Sequence, residues 1–158
     1  MGKAEGNGYI IGDEMVSIKK DLEWGLEQEK VAIKEFSKVF KKGKWSGFIK
    51  LGLYNHFDFC AHSLDDKRKS CFVEIKSRRC DHDKYEDTLI PSVKIKKALI
   101  LVEHGQKVFL VVNFTDGFYY VDLERANMRF DWNARTDRGM IERGHYAFLP
   151  LEQFKKIG

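Results

Sequence analysis

Between Ser17 and Phe40 the chain carries no proline, and Leu22, Leu26, Ile33, Phe36 and Phe40 recur at helical intervals. That spacing gathers them on one face of a helix. Glu29 occupies the step this stripe leaves open between Leu26 and Ile33, whereas Glu27 and Glu35 fall off it and read as solvated. Lys41, Lys42 and Gly43 supply cationic and capping signals for the helix end. Upstream, residues 1–16 are glycine-rich and lack any period. They read as a flexible start, or as a short strand around Tyr9–Ile11.

From Trp45 to Ser77 the pattern becomes one of strands. Phe48–Leu53, His56–His62 and Ser70–Lys76 are short runs rich in aromatic and β-branched residues. The polar segment Asp65 to Lys69 is the turn joining the last two. Residues 78–90 form a charged loop. Pro91 suits the first turn of a second helix near 92–104, and Gly105 stands where a C′ glycine belongs. Val108–Phe114 and Phe118–Leu123 flank Thr115-Asp116-Gly117, a hairpin signal. Weaker strands follow near 127–134 and 144–149, then a short helix over Leu151–Ile157. No repeat or internal linker breaks the order, so residues 1–158 read as one domain. The fold class is α/β (α+β), with a mixed central sheet flanked by helices.

Composition narrows this picture modestly. The chain of 158 residues is 43% hydrophobic, 13% aromatic and 33% charged, with a net charge of +4. The small positive excess permits a polyanionic partner without demanding one. No apolar run approaches the ~20 residues that span a bilayer, so no membrane is expected, and an intracellular setting fits three cysteines left as free thiols. A zinc site from Cys71, Cys80 and His82 matches no common ligand spacing.

The chemistry concentrates on two strands. In Cys71-Phe72-Val73-Glu74-Ile75-Lys76 alternation sends Val73 and Ile75 to one face, Glu74 and Lys76 to the other. In His56-Phe57-Asp58-Phe59-Cys60 it sets Phe57 and Phe59 on one face and Asp58 opposite. A hairpin register centred on residue 66 places Asp58 across from Glu74, where paired side chains sit about 4.5–5.5 Å apart and like charges destabilise. A shared divalent cation resolves that conflict, since Mg²⁺ is held by one or two carboxylates plus waters and substrate phosphate. Glu29, a carboxylate on an inward stripe, needs pairing or coordination for the same reason. A lone Glu-x-Lys on a strand is ordinary surface ion-pair material. The conjunction of helix Glu, strand Asp and Glu-x-Lys is what points to chemistry.

These residues resemble the PD-(D/E)XK nuclease superfamily: Asp58 on one strand, Glu74-Ile75-Lys76 on the next, and Glu29 on the preceding helix. Glu74-Ile75-Lys76-Ser77-Arg78, Gly25 to Glu29, and Thr88-Leu89-Ile90-Pro91 with Lys94 are similar to small members encoded by phages and large DNA viruses. Phe57 departs from the proline that often precedes the Asp. The resemblance implies a restriction-endonuclease-like αβββαβ core and hydrolysis of phosphodiester bonds, of DNA before RNA, by a metal-activated water. It implies Mg²⁺ or Mn²⁺ held by Asp58, Glu74 and the Ile75 carbonyl, with Glu29 binding directly or through water. Lys76 would orient the attacking water and stabilise charge, because two nearby carboxylates favour its charged form. Arg78 and Lys94 are the foremost phosphate contacts, with Arg79, Lys97, Lys67 and Arg68 in support; Arg135 and Arg138 form a further basic stretch. Tyr85 would stack on unpaired bases if exposed, although packing is its ordinary role. The competing readings are a non-catalytic nucleic-acid-binding module on the same fold and a structure-selective junction resolvase, which would work as a homodimer.

Overall fold

The computed structural model describes residues 7–40, 44–135 and 142–158. Residues 1–6, the cap signal at Lys41-Lys42-Gly43 and Arg138 lie outside them. Helix α1 runs from Asn7 to Ser37 and closes in a 3-10 turn at Lys38–Phe40. It therefore takes in residues 9–11, where the sequence pointed to a strand. Next come β1 (Ile49–Lys50), β2 (Phe59–His62), β3 (Ser70–Ser77), β4 (Asp87–Pro91), α2 (Ser92–Glu103), β5 (Lys107–Phe114), β6 (Gly117–Asp122), β7 (Arg129–Arg135), β8 (Glu142–Pro150) and β9 (Lys155–Ile157).

Six strands form the central sheet in the order β1-β2-β3-β5-β6-β9. Strands β3 and β5 are parallel, joined through α2, and the other neighbours are antiparallel, so the sheet is mixed. A second, antiparallel sheet of order β4-β8-β7 stands apart from it. Thr88 and Ile90 in β4 alternate inward within the segment expected to be loop. The helix expected over Leu151–Ile157 is a 3-10 turn followed by β9, which extends the central sheet beside β6. The every-third-residue spacing of Leu151, Phe154 and Ile157, all buried, fits a helix face and a turn-plus-strand equally well. Gly105 ends α2 at φ +81°, a region that favours glycine.

Two apolar layers cover the central sheet. On one face Ala32 and Phe36 of α1 pack on Phe59, Ala61, Val73, Ile75 and Val111. On the other, Ile95 and Ala98 of α2, with Ile90 and Leu149 of the small sheet, pack on Val108, Leu110 and Val112. The inward side of α1 matches the expected stripe at Ile33 and Phe36 but not at Leu22 and Leu26, which are 61% and 46% exposed; the covered positions are Gly25, Gln28, Glu29, Ala32, Ile33, Glu35 and Phe36. Length explains this. At ~1.5 Å per residue the helix is roughly 46 Å long, whereas an eight-residue strand such as β3 spans roughly 26 Å, so the sheet covers only part of the helix's length. Glu27 is solvated as expected, but Glu35 is half-buried and holds Lys38 at 2.8 Å.

Candidate active site

The β2–β3 register is Phe59↔Val73, Cys60↔Phe72, Ala61↔Cys71 and His62↔Ser70, centred on residue 66 as the turn predicted. Asp58 lies one residue before β2, and its amide still donates to the Val73 carbonyl at 3.0 Å. The regular ladder ends there. The Asp58 carboxylate itself accepts the Ile75 amide, with Oδ2 at 2.7 Å. A strand residue presents N–H and C=O toward the same neighbour, so the Ile75 carbonyl opens toward Asp58 as well. Phe57 and Phe59 do not share a face: Phe57 joins the α2-side layer, its ring 5.5 Å from that of Phe72, while Phe59 joins the α1 side. Strict alternation fails because residues 53–58 are turns and bends, not strand.

Glu74 points to the α2 side of β3 and is only 3% exposed. Its Oε1 accepts Lys94 Nζ at 2.7 Å and lies 3.0 Å from Lys76 Nζ. Its Oε2 is buried with no hydrogen-bond partner among the described residues. Burial pushes the Glu74 carboxyl above its ordinary value. The Lys76 charge pulls it back, the Asp58 charge raises it further, and Lys94 lowers it through a hydrogen bond and its charge. Two carboxylates thus feel one another, and one oxygen lacks a partner in a place where that is costly.

Glu29 reaches this region through a residue that sequence reasoning missed. Lys50 Nζ, from β1, lies 2.5 Å from Glu29 Oε2, 3.7 Å from Asp58 Oδ1 and 4.9 Å from the centre of the Phe59 ring. Lys50 was legible as a polar position between Ile49 and Leu51, but its pairing with Phe59 depends on a two-residue strand. Asn113 was missed too; it donates to Gln28 Oε1 at 2.6 Å and ties β5 to α1 beside Glu29. Among the described residues no three His, Cys, Asp or Glu side chains form a group that could hold a metal ion. The unpartnered Glu74 oxygen, the adjoining Asp58 carboxylate and the Ile75 carbonyl nonetheless fit Mg²⁺, a hard cation that takes oxygen donors and keeps several waters.

The basic residues divide. Lys94 sits in the site. Arg78 donates to the Leu89 carbonyl at 2.9 Å and so braces β4. Arg79 lies over the Trp24 ring at 4.8 Å and 3.5 Å from Asp21, and Lys97 bonds to His56. Lys67 and Arg68 occupy the hairpin turn, where Arg68 meets Asp66 at 3.2 Å. Six residues of near-extended chain separate Arg68 from Glu74, about 20 Å at ~3.3 Å each, so the turn does not border the site. The three cysteines are free thiols, and burial pushes the Cys71 thiol up to about 12. His82 bonds to Asp116 and to the Tyr119 hydroxyl instead of joining cysteines. Among the described residues no helix is long and apolar enough to cross a membrane.

A family model described as "phage putative PDDEXK endonuclease" matches residues 23–157. No curated protein matches the chain. Among solved structures, the Holliday junction resolvase Hjc of Archaeoglobus fulgidus is similar over 75% of this chain and 85% of its own, at 9% identity and a TM-score of 0.44.

Proposed function

The chain belongs to the phage PDDEXK endonuclease family, and from that premise we propose that it is a nuclease hydrolysing DNA phosphodiester bonds with Mg²⁺ or Mn²⁺ at Asp58, Glu74 and Lys76. The observation that carries the site is Glu74 Oε2, a buried carboxylate oxygen without a partner beside a second carboxylate whose charge it feels. Asp58, Glu74 and the Ile75 carbonyl would hold the cation, and Glu29, joined to Asp58 by Lys50, would reach it through water. A bound divalent cation makes a stronger nucleophile of its water and neutralises charge developing on the phosphate.

The protein's own groups do the rest. The Ile75 amide fixes the Asp58 carboxylate through Oδ2, and Oδ1 faces the Lys50 ammonium at 3.7 Å. Lys76 and Lys94 offset the burial of Glu74's charge and keep a positive potential where a phosphate would approach. Lys76, two residues past Glu74 on β3, is suited to orient the attacking water and to balance charge on the phosphate. A pure binding module has no use for carboxylates facing a polyanion, which favours catalysis.

Purified protein should be incubated with linear, circular, single-stranded and branched DNA and with RNA, each with Mg²⁺, Mn²⁺ or EDTA. Cleavage is expected with metal, to vanish in EDTA, and to fail in Asp58→Asn and Lys76→Ala. Selective cutting of branched DNA would assign the resolvase reading. Cleavage that persists in both variants would remove this site, and binding of nucleic acid without cleavage under every condition would assign the binding module.

A further inference from the structure

Beyond Glu74 on the same side of the central sheet, a cavity of ≈ 600 Å³ opens between the end of β3 and the small sheet. Its volume falls in the range of about 300–1,000 Å³ typical of small-molecule sites. Arg78, four residues past Glu74 on the continuing chain, lies in its wall. At ~3.3 Å per residue the cavity therefore begins roughly 13 Å from the candidate active site, about two nucleotide steps along a strand at the ~6–7 Å per step of an extended nucleic-acid backbone.

Three features define what fits. First, the charge is wrong for a phosphate. Asp81, Glu86 and Asp87 contribute three carboxylates, and the one guanidinium, that of Arg78, is already bonded to the Leu89 carbonyl. Asp81 takes the Thr115 hydroxyl and Asp87 lies 3.8 Å from Arg129, yet a carboxylate offers about four acceptor sites, so each can accept again. Such a wall attracts N–H donors. Second, Tyr85, Tyr146 and Phe148 line the cavity, with Lys84 over one face of the Tyr85 ring at 5.5 Å and Arg129 over one face of the Phe148 ring at 3.9 Å; Tyr85 is 62% exposed, not packed as its residue type ordinarily would be. Third, Thr88 lines the cavity at 4% exposure, and its hydroxyl has no hydrogen-bond partner among the described residues. A buried hydroxyl left unpaired costs free energy, and rotation about the Thr88 Cα–Cβ bond to another staggered position would turn it to a polar ligand in the cavity.

We infer that this cavity receives an unstacked nucleobase bearing an exocyclic amine (adenine, cytosine or guanine) from the strand engaged at Glu74. The inference rests on the nuclease reading for the identity of that strand. Aromatic stacking accepts any base face, whereas the carboxylates and the Thr88 hydroxyl discriminate in favour of amine-bearing edges. A base held here would index the backbone so that a phosphate a step or two away lies over Glu74.

The test uses uncharged ligands and no metal, so that it is independent of cleavage. Adenosine, cytidine, guanosine, thymidine and inorganic phosphate are titrated into the wild-type protein and followed by two-dimensional NMR of its backbone amides. Saturable shifts confined to residues around Thr88 and Tyr146 are expected with the amine-bearing nucleosides, with thymidine weaker and phosphate absent. Tyr85→Ala, at an exposed position that leaves folding intact, is expected to weaken adenosine by roughly 5-fold or more, and the near-isosteric Thr88→Val to weaken it as well. No saturable nucleoside binding, equal binding by Tyr85→Ala, or phosphate seated at these residues would overturn the inference. Wild-type cleavage assayed on the same preparation separates the two readings: intact cleavage without nucleoside binding removes the cavity's role alone, and nucleoside binding without cleavage removes the nuclease reading alone.

Discussion

Strand β3 serves two regions that obey different physics. Toward α1 it turns Cys71, Val73 and Ile75 into a layer completed by Phe36, whose ring lies 5.3 Å from Phe109 and 5.5 Å from Tyr120. Toward α2 the same strand turns Phe72, Glu74 and Lys76, and there burial covers a carboxylate with one oxygen unpartnered. The first region gains free energy from removing apolar surface from water. The second gives some back, because a buried charge is compensated only as far as its ion pairs and hydrogen bonds reach. Adjacent residues on one strand thus divide the labour: Val73 and Ile75 hold the sheet that positions Glu74.

The sharpest way to break that division is to mutate once on each side. Phe36→Ala, in a fully buried position, should cost about 3–5 kcal/mol of stability, read as a shifted denaturant midpoint. Glu74→Gln should leave stability within about 1 kcal/mol of wild type, because it removes a buried charge while keeping the shape. Its cleavage rate should fall by about 100- to 1,000-fold, the loss typical of removing one group that stabilises transition-state charge. Should Glu74→Gln unfold the protein as Phe36→Ala does, Glu74 belongs to the scaffold and the contrast is lost.

The two regions also differ in how far sequence revealed them. The apolar side of β3 and the hairpin register followed from alternation and one polar turn, because periodicity and turn length are local properties. Alternation likewise set Glu74 and Lys76 on the side away from Val73 and Ile75, but it failed around Asp58, where Phe57 and Phe59 join opposite layers. Lys50 did not come into view, since its contact with Glu29 and Asp58 depends on a two-residue strand placed by tertiary structure. The α1 face was misread at Leu22 and Leu26 because periodicity tells which residues share a side, not how much of the helix the sheet covers. Of the small sheet, β7 and β8 answer to the strands expected near 127–134 and 144–149, but β4 escaped notice because it is a five-residue strand with two inward positions inside a charged segment, and it is this sheet that walls the cavity.

Lys94 offers a finer cut through the second region. Lys94→Met keeps the stem and removes one of the two ammoniums on Glu74 Oε1, leaving Lys76 at 3.0 Å. Losing a partner of a buried carboxylate is destabilising, but the lysine is partly exposed, so about 1–2 kcal/mol is expected after screening is allowed for. If Glu74 receives a divalent cation, added Mg²⁺ should recover part of this loss, giving a larger thermal shift in Lys94→Met than in wild type. Equal Mg²⁺ responses in the two proteins would mean that the carboxylate and the metal do not meet.

The smallest effect expected, and the one that sets the regions most directly against each other, is in pH. Burial, reinforced by the Asp58 charge, raises the Glu74 carboxyl above its ordinary 4.5 despite Lys76 and Lys94. Between the ordinary value and the raised one, the native protein retains a proton that the unfolded chain has released. Stability then falls as pH rises through that window, a contribution fully present below pH 4.5 and lost above the folded value. Glu74→Gln removes this slope, so its denaturant midpoint should be flatter with pH than that of wild type over the same interval. Metal binding and cleavage need the ionised carboxylate, so they should rise where this contribution to stability falls. Parallel pH titrations of unfolding and of Mg²⁺ binding check both slopes. Two slopes of the same sign, or a wild type no steeper than Glu74→Gln, would show that Glu74 is ionised in the ordinary way and that its burial does not govern the chemistry of this face.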